Sequence, residues 1–198
     1  MIHILYLAAG NSRRFGSNKL QALLDGKPLF LHGLDRLNAL SCQRTDCTLT
    51  VVSQHDFILD AAEKKGIRAV YSPDSPLGLS YTIRAGLASL PDLRPEDFIL
   101  FMVADQPRLS TETITALLDL AQPGVTAAST AFGTRQGNPT LFSAQLLPEL
   151  LTLAGDQGGR VVLRRHAADC RTVQAHSASE LWDIDRPDDL AHFTDPDQ

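Results

Sequence analysis

Three cations stand close together near the start of the chain. Arg13, Arg14 and Lys19 lie in or just after Leu7-Ala8-Ala9-Gly10-Asn11-Ser12-Arg13-Arg14-Phe15-Gly16. Ala8, Ala9 and Gly10 put little side chain in the way, so backbone N–H groups there can approach an anion closely. A nucleoside triphosphate carries about four negative charges, and charge-assisted bonds from Arg, Lys and N–H groups hold such a ligand. The same composition also fits an ordinary strand-to-helix connection with solvated arginines. Two other phosphate-binding patterns are excluded. The Walker sequence does not occur, and the spacing from Gly10 to Gly16 is wrong for a dinucleotide fingerprint.

Carboxylates supply the opposite chemistry. Asp105, in Ala104-Asp105-Gln106-Pro107, follows the apolar run Phe98 to Val103. Mg²⁺ prefers oxygen ligands and keeps several waters, so one or two carboxylates plus substrate phosphates suffice to bind it. An aspartate before Gln-Pro also fits a cap on the next turn. A second acidic cluster lies in Trp182-Asp183-Ile184-Asp185-Arg186-Pro187-Asp188-Asp189. Alternation puts Asp183 and Asp185 on one side of an extended segment. Asp188 and Asp189 fall in the first turn of a helix, where they favour its dipole. Of the histidines, His32 and His166 sit within predicted helices. His3, His55, His176 and His192 form no pair at ligand spacing, and no histidine is assigned a role.

These residues need elements to hold them. Ile2 to Leu7, Thr48 to Ser53, Arg68 to Tyr71, Phe98 to Val103 and Val125 to Ala131 read as strands. Pro28 to Leu40, Asp56 to Lys65, a segment from Leu79 to Leu90, and Thr111 to Ala121 read as helices. Such alternation predicts an α/β domain with a largely parallel sheet. After Gly133 the rhythm loosens. Gly137 to Phe142 reads as a strand returning antiparallel, and Arg171 to Ala175 as a late strand. Ala144 to Leu153, Arg160 to Ala167 and Pro187 to Phe193 read as helices. In open α/β sheets ligands bind beyond the carboxyl ends of strands, which is where the first loop and Asp105 both fall.

With 198 residues the chain favours one domain. Its net charge of −5 gives no electrostatic support for a nucleic-acid partner. Cys42, Cys47 and Cys170 form no metal-ligand pattern, and their odd number argues against a disulfide framework. The apolar start is too short for a signal peptide, and no run reaches the roughly 20 residues of a membrane span. A cytoplasmic protein without a membrane partner is the expectation.

Leu7-Ala8-Ala9-Gly10-x-Ser12-x-Arg14-x-Gly16-x-x-Lys19 resembles the signature of the MobA-like nucleotidyltransferases, and within them most closely the molybdenum cofactor cytidylyltransferases of the MocA type. Ala104-Asp105-Gln106-Pro107 is similar to the form typical of that group. Asp183-Ile184-Asp185-Arg186-Pro187 resembles its Asp-Ile-Asp-Thr-Pro motif, with Arg186 replacing threonine. Gly155-Asp156-Gln157-Gly158-Gly159-Arg160 resembles its Gly-Asp-x-Gly-Ala-Arg, with Gly159 replacing alanine. Together the matches run from Leu7 to Leu190.

The resemblance implies a three-layer α/β fold, Rossmann-like and related to the GT-A kind. It has a mostly parallel sheet, helices on both faces and one antiparallel strand. It implies a nucleotide-binding half over residues 1–110 and an acceptor-binding half over 111–193. Leu7, Ala8, Ala9 and Gly10 would surround the nucleotide. Arg14 and Lys19 would bind its phosphates and stabilise the departing pyrophosphate. Asp74, Leu79 and Ser80 would face base and ribose. Asp105 and Asp185 would hold Mg²⁺, with Asp183 a weaker candidate. Asn138, Asp156 and Gly158 would lie at the acceptor. The implied reaction transfers CMP from CTP to molybdopterin carrying molybdenum, with a molybdenum hydroxylase as client of the product. Ala9, where guanylyl enzymes usually carry glycine, narrows the base pocket and favours CTP. The alternatives are a related transferase using GTP or another phosphorylated acceptor, a non-catalytic molybdenum cofactor chaperone, and a redox enzyme.

Overall fold

The computed structural model describes residues 1–12 and 15–194. Seven strands form the main sheet. They are β1 (Ile2–Leu7), β4 (Cys47–Ser53), β5 (Arg68–Tyr71), β6 (Phe98–Val103), β7 (Ala127–Phe132), β8 (Arg135–Ser143) and β9 (Cys170–Gln174). A small hairpin, β2 (Leu23–Leu24) with β3 (Lys27–Pro28), stands apart from it. The sheet order is β5-β4-β1-β6-β8-β7-β9. β4 and β6 flank β1 in parallel, and β5 lies parallel to β4. β8 runs antiparallel to both β6 and β7, and β9 is parallel to β7. β8 is thus the one reversed strand of this sheet.

The helices are α1 (Leu29–Gln43), α2 (Asp56–Glu63), α3 (Leu79–Ala88), α4 (Thr111–Leu118), α5 (Leu147–Leu151), α6 (Arg160–Arg165) and α7 (Pro187–Thr194). Alternation along the strands divides the core between the two faces. Ile4, Tyr6, Leu100 and Met102 pack with Leu34, Leu37, Ile58 and Ile114 of α1, α2 and α4. Leu5, Leu7, Ile99 and Phe101 pack with Ile83, Leu87, Leu150 and Val162 of α3, α5 and α6. This is the three-layer architecture expected from the sequence. Among the described residues no helix is long and apolar enough to cross a membrane.

Several boundaries differ from the sequence reading. α1 begins at Leu29 because Pro28 pairs with Leu23 in the small hairpin. The segment expected as one helix from Ala144 to Leu153 is instead a 3-10 turn, Ala144–Leu146, followed by the short α5. Pro148 has no N–H, so it suits the first turn of a new helix rather than the interior of a longer one.

The chain passes from β1 to β4 and β5 on one side, then crosses to β6 on the other. The strand order therefore reverses between β1 and β6. A crevice at the carboxyl ends of these two strands is the expected ligand position in such a sheet.

Candidate active site

Lys19 is the centre of that crevice. It opens a 3-10 turn, Lys19–Gln21, capped by Asn18, whose Oδ1 accepts from Leu20 N–H at 3.1 Å. Its own backbone N–H donates to Ser12 Oγ at 3.0 Å, which ties the two ends of the loop after β1 together. The Nζ donates to Asp105 Oδ2 at 2.8 Å and to Asp185 Oδ1 at 3.1 Å. Lys19 is only 7% exposed. Burial works against its charge, but Asp105 and then Asp185 outweigh it and raise the pKa above the ordinary lysine value. The ammonium is therefore fixed in its charged form between two carboxylates that lie far apart in sequence.

Each carboxylate is positioned by backbone. Asp105 follows β6, and Ala104 N–H donates to the Leu7 carbonyl at 3.2 Å, so the loop stays registered with β1. The Asp105 carbonyl accepts from Ile184 N–H at 3.0 Å, drawing in the segment that carries Asp185. Asp189 Oδ2 accepts from the N–H groups of Asp185 and Arg186 at 2.8 and 2.7 Å, fixing that turn at the start of α7. Asp105 Oδ1 is buried with no hydrogen-bond partner among the described residues. An orphaned carboxylate oxygen and two hard oxygen donors suit Mg²⁺ that also takes phosphate oxygens. No group of three or more His, Cys, Asp or Glu side chains among the described residues is placed to hold a metal.

A cavity of about 200 Å³ opens beside Lys19. Ala9, Gly10 and Asn11 form one wall, and Gly78, Leu79 and Thr82 the other. Asn11 joins the walls, donating from Nδ2 to the Pro76 carbonyl at 2.9 Å. Gln54 supports it, donating to Asn11 Oδ1 at 3.0 Å and to the Ala9 carbonyl at 2.7 Å. Ser75 Oγ bonds to both Ser72 and Thr82, which steadies the start of α3.

A second cavity of about 450 Å³ shares Leu7, Leu79, Val103 and Asp156 with the first. Asn138, Gly158, Arg160 and Arg164 complete its polar lining. The two loops that meet here are in backbone contact. Ser80 N–H donates to the Gly155 carbonyl at 3.0 Å, and a Cβ on Gly78 would lie 2.3 Å from Gly155. Gly159 faces Phe142, whose ring atoms would lie 2.8 Å from an added Cβ. Alanine cannot fit at position 159 unless that ring moves.

A model of the MobA-like NTP transferase domain matches residues 4–170. The chain belongs to this family. Its activity is of the class the family describes, nucleotidyl transfer from a nucleoside triphosphate. Three curated relatives span nearly the whole chain. The purine catabolism protein PucB of Bacillus subtilis is 29% identical, covering 93% of this chain and 92% of its own. The nicotine blue oxidoreductase of Paenarthrobacter nicotinovorans is 30% identical over 90% and 89%. A probable molybdenum cofactor guanylyltransferase of Deinococcus radiodurans is 27% identical over 94% and 91%. Among solved structures, a nucleotidyl transferase from Methanothermobacter superposes with a TM-score of 0.78, covering 98% and 97% at 22% identity. The last likeness concerns the fold.

In this MobA-like domain Lys19, Asp105 and Asp185 converge as one group. Leu7, Ala9, Gly10 and Leu79 line the first cavity with Lys19 and Asp105. Asn138, Asp156 and Gly158 line the second. Arg14 lies outside the described residues, as does Arg13. Three residues expected at the nucleotide do not line the first cavity. Ala8 is fully buried, and its N–H is committed to the Val52 carbonyl at 2.9 Å. Ser80 is also fully buried, with its N–H committed to Gly155. Asp74 is exposed on the outer side of the turn Ser75–Leu77. Asp156 is not a helix cap, because Gly159 holds that place before α6.

Asn11, Ser75 and Thr82 were not singled out by the sequence reading, and neither was the pair Gln106 and Thr140. Burial in the concave wall pushes the Asp183 carboxyl up to about 6, with the charges of Asp105 and Asp185 adding to it and the Gln106 N–H opposing. Residue 183 nevertheless reaches solvent. It sits at the lip of the crevice rather than beside Lys19.

Proposed function

We propose that the protein transfers CMP from CTP to the terminal phosphate of molybdopterin carrying molybdenum, releasing pyrophosphate. The observation that carries this is Lys19 Nζ, bonded to Asp105 and Asp185 beside the first cavity, which shares Leu7, Leu79, Val103 and Asp156 with the second. One cavity takes the nucleotide and the other the acceptor, and the two anions meet at the shared wall. Asp105 and Asp185 are the residues that would hold Mg²⁺. When bound, it supplies neutralisation of the phosphate charge and of the departing pyrophosphate.

This chain's own groups supply the rest. Lys19 brings a charge that is fixed before substrate arrives, so little reorganisation accompanies transfer. Gly10 and Ala9 leave room for triphosphate oxygens close to the backbone. Asn11 and Gln54 hold the nucleotide walls at their spacing, and positioning of this kind is the main contribution open to a protein in phosphoryl chemistry. A phosphate nucleophile is already ionised near neutral pH, so no general base is required. Arg160 and Arg164 give the acceptor cavity the positive charge that an anionic acceptor needs.

Ala9 favours CTP because its methyl narrows the base end of the first cavity. A second reading uses GTP, and it is supported by the full-length likeness to a probable guanylyltransferase. A redox reading gains from the likeness to the nicotine blue oxidoreductase. Against it, the first loop lacks a dinucleotide fingerprint. One assay separates these: protein, Mg²⁺, each NTP in turn, with and without molybdopterin, read as pyrophosphate. Release with CTP that depends on molybdopterin supports the main reading. Release with GTP instead moves the assignment to the second, and no release with any NTP overturns molybdopterin as the acceptor. Asp105→Ala abolishes release in either transferase case.

A further inference from the structure

Gln106 and Thr140 carry buried polar atoms that nucleotidyl transfer as described above does not use. They are 3% and 2% exposed. The Gln106 amide has one orientation. Its Nε2 donates to Asp183 Oδ1 at 2.8 Å and faces the Leu181 carbonyl at 3.5 Å, and both partners only accept. Its Oε1 therefore lies on the opposite edge of the amide, buried and with no partner among the described residues. Thr140 Oγ1 is buried and unpaired in the same way. Both residues line one small polar cavity of about 80 Å³. Asn138 and Arg160 line this cavity and the 450 Å³ cavity beside it. Native proteins pair nearly all buried polar atoms, so two orphans on one cavity point to a ligand that pairs them.

We propose that Gln106 and Thr140, with Asp183 at the mouth, form a subsite that reads the N–H edge of a flat, amino-substituted heterocycle in the acceptor substrate. The inference rests on reading the larger cavity as the acceptor side of nucleotidyl transfer. The chemistry of the three groups selects the ligand. The Gln106 oxygen and an ionised Asp183 accept only, and the Thr140 hydroxyl accepts or donates. The matching partner is rich in donors, and an amino group beside a ring N–H presents two in parallel. The small cavity admits the edge of a ring rather than a whole bicycle. The rest of the acceptor, with its anionic end, extends into the larger cavity along Arg160.

Two fluorescent probes test the subsite: 6-carboxypterin, and 6-carboxylumazine, in which a carbonyl replaces the exocyclic amino group. Each is titrated into the full-length protein and its Kd read from the fluorescence change. The wild type binds carboxypterin about tenfold tighter or more, because a site built to pair an N–H rejects the analogue without it. Thr140→Val and Gln106→Leu each bring the two affinities together. Equal affinity in the wild type, no binding of either probe, or a preference that survives both substitutions overturns the proposal. Thr140→Val is isosteric and removes a hydroxyl with no bond to lose, so the test stands even where Gln106→Leu fails to fold. Titration of CTP with Mg²⁺ into the same samples separates this inference from the reading beneath it. CTP binding without probe preference overturns the subsite alone. Probe preference without binding of any NTP supports the subsite and overturns the transferase reading.

Discussion

A buried lysine bonded to two carboxylates does two jobs at once. It neutralises charges that would otherwise repel each other, and it keeps a cation where phosphates are to arrive. Lys19→Met removes both. Its kcat/KM is expected to fall by about 10²- to 10³-fold, the loss typical of one preorganised electrostatic contact, as read by pyrophosphate release. Activity within a few-fold of wild type would falsify the assignment. With the ammonium gone, nothing at position 19 offsets the repulsion between Asp105 and Asp185, so added Mg²⁺ should raise the melting temperature of the variant more than that of wild type. Gly159 makes a steric claim instead. Gly159→Ala brings a methyl within 2.8 Å of the Phe142 ring. It is expected to cost about 1–3 kcal/mol in denaturant unfolding, as overpacking does. An unchanged midpoint would show that the ring yields freely. Lys19, Asp105 and Asp185 were legible in the sequence because charge next to a strand end is rare enough to notice. Ala8 and Ser80 stand outside the lining of the first cavity, their backbone N–H groups spent on the sheet and on a neighbouring loop, which no residue type announces. Gln106 and Thr140 are ordinary polar residues until burial leaves their oxygens without partners.

Elements carry these side chains to their places, and two joints can be tested. Glu180, 4% exposed, ties the C-terminal segment to the start of α4. It accepts from Ser110 N–H and Oγ at 3.0 and 2.8 Å and from His176 N–H at 2.9 Å. Burial alone would raise its carboxyl, but the bonds from Thr113, Ser110 and His176 outweigh burial and hold the pKa below the ordinary glutamate value. A depressed carboxyl contributes stability that is complete above the unfolded value of about 4.3 and is lost as pH falls through the folded one. Glu180→Gln should lower stability at neutral pH by about 1–3 kcal/mol and flatten the acid limb of a melting-temperature profile. Parallel profiles for the two proteins would remove Glu180 from this role. At the other joint, Gly78 has φ 137° and no space for a Cβ against Gly155. Gly78→Ala should part the two loops and raise KM for nucleotide and acceptor together. A KM change for only one would mean that the walls move independently. The strands and helices up to α4 were legible from periodicity. The small hairpin of β2 and β3 was not, since two-residue strands leave no period. Nor did the pattern after Gly133 reveal that β8 inserts between β6 and β7, because pairing partners are set by tertiary packing rather than by the strand's own sequence.

At the scale of the whole molecule, the proposed reaction asks an acidic chain to receive two anions. The net charge of −5 and the carboxylates Asp105 and Asp185 repel a bare triphosphate. Three cations stand along the two cavities to meet this. Lys19 stands at the first, and Arg160 and Arg164 on the acceptor side. That position was legible early, because the loop after β1 and the loop after β6 both leave parallel strands at their carboxyl ends. The second cavity was less so, since β8, α6 and the loop before α6 build much of it from stretches with weak periodicity. The charge balance predicts how nucleotide affects stability. At a concentration about 100 times its Kd, a ligand specific for the folded state adds about 2.7 kcal/mol. For a chain of this size each kcal/mol raises the melting temperature by about 2–4 °C. CTP with Mg²⁺ should therefore raise it by about 5–11 °C in a thermal-shift experiment. CTP in EDTA at the same concentration should give a much smaller rise, because the two carboxylates then repel the triphosphate with no metal ion between them. In Asp105→Asn the two conditions should converge. Equal shifts with and without Mg²⁺ in the wild type would mean that the protein's own cations suffice, and the proposed role of Asp105 and Asp185 would have to be withdrawn.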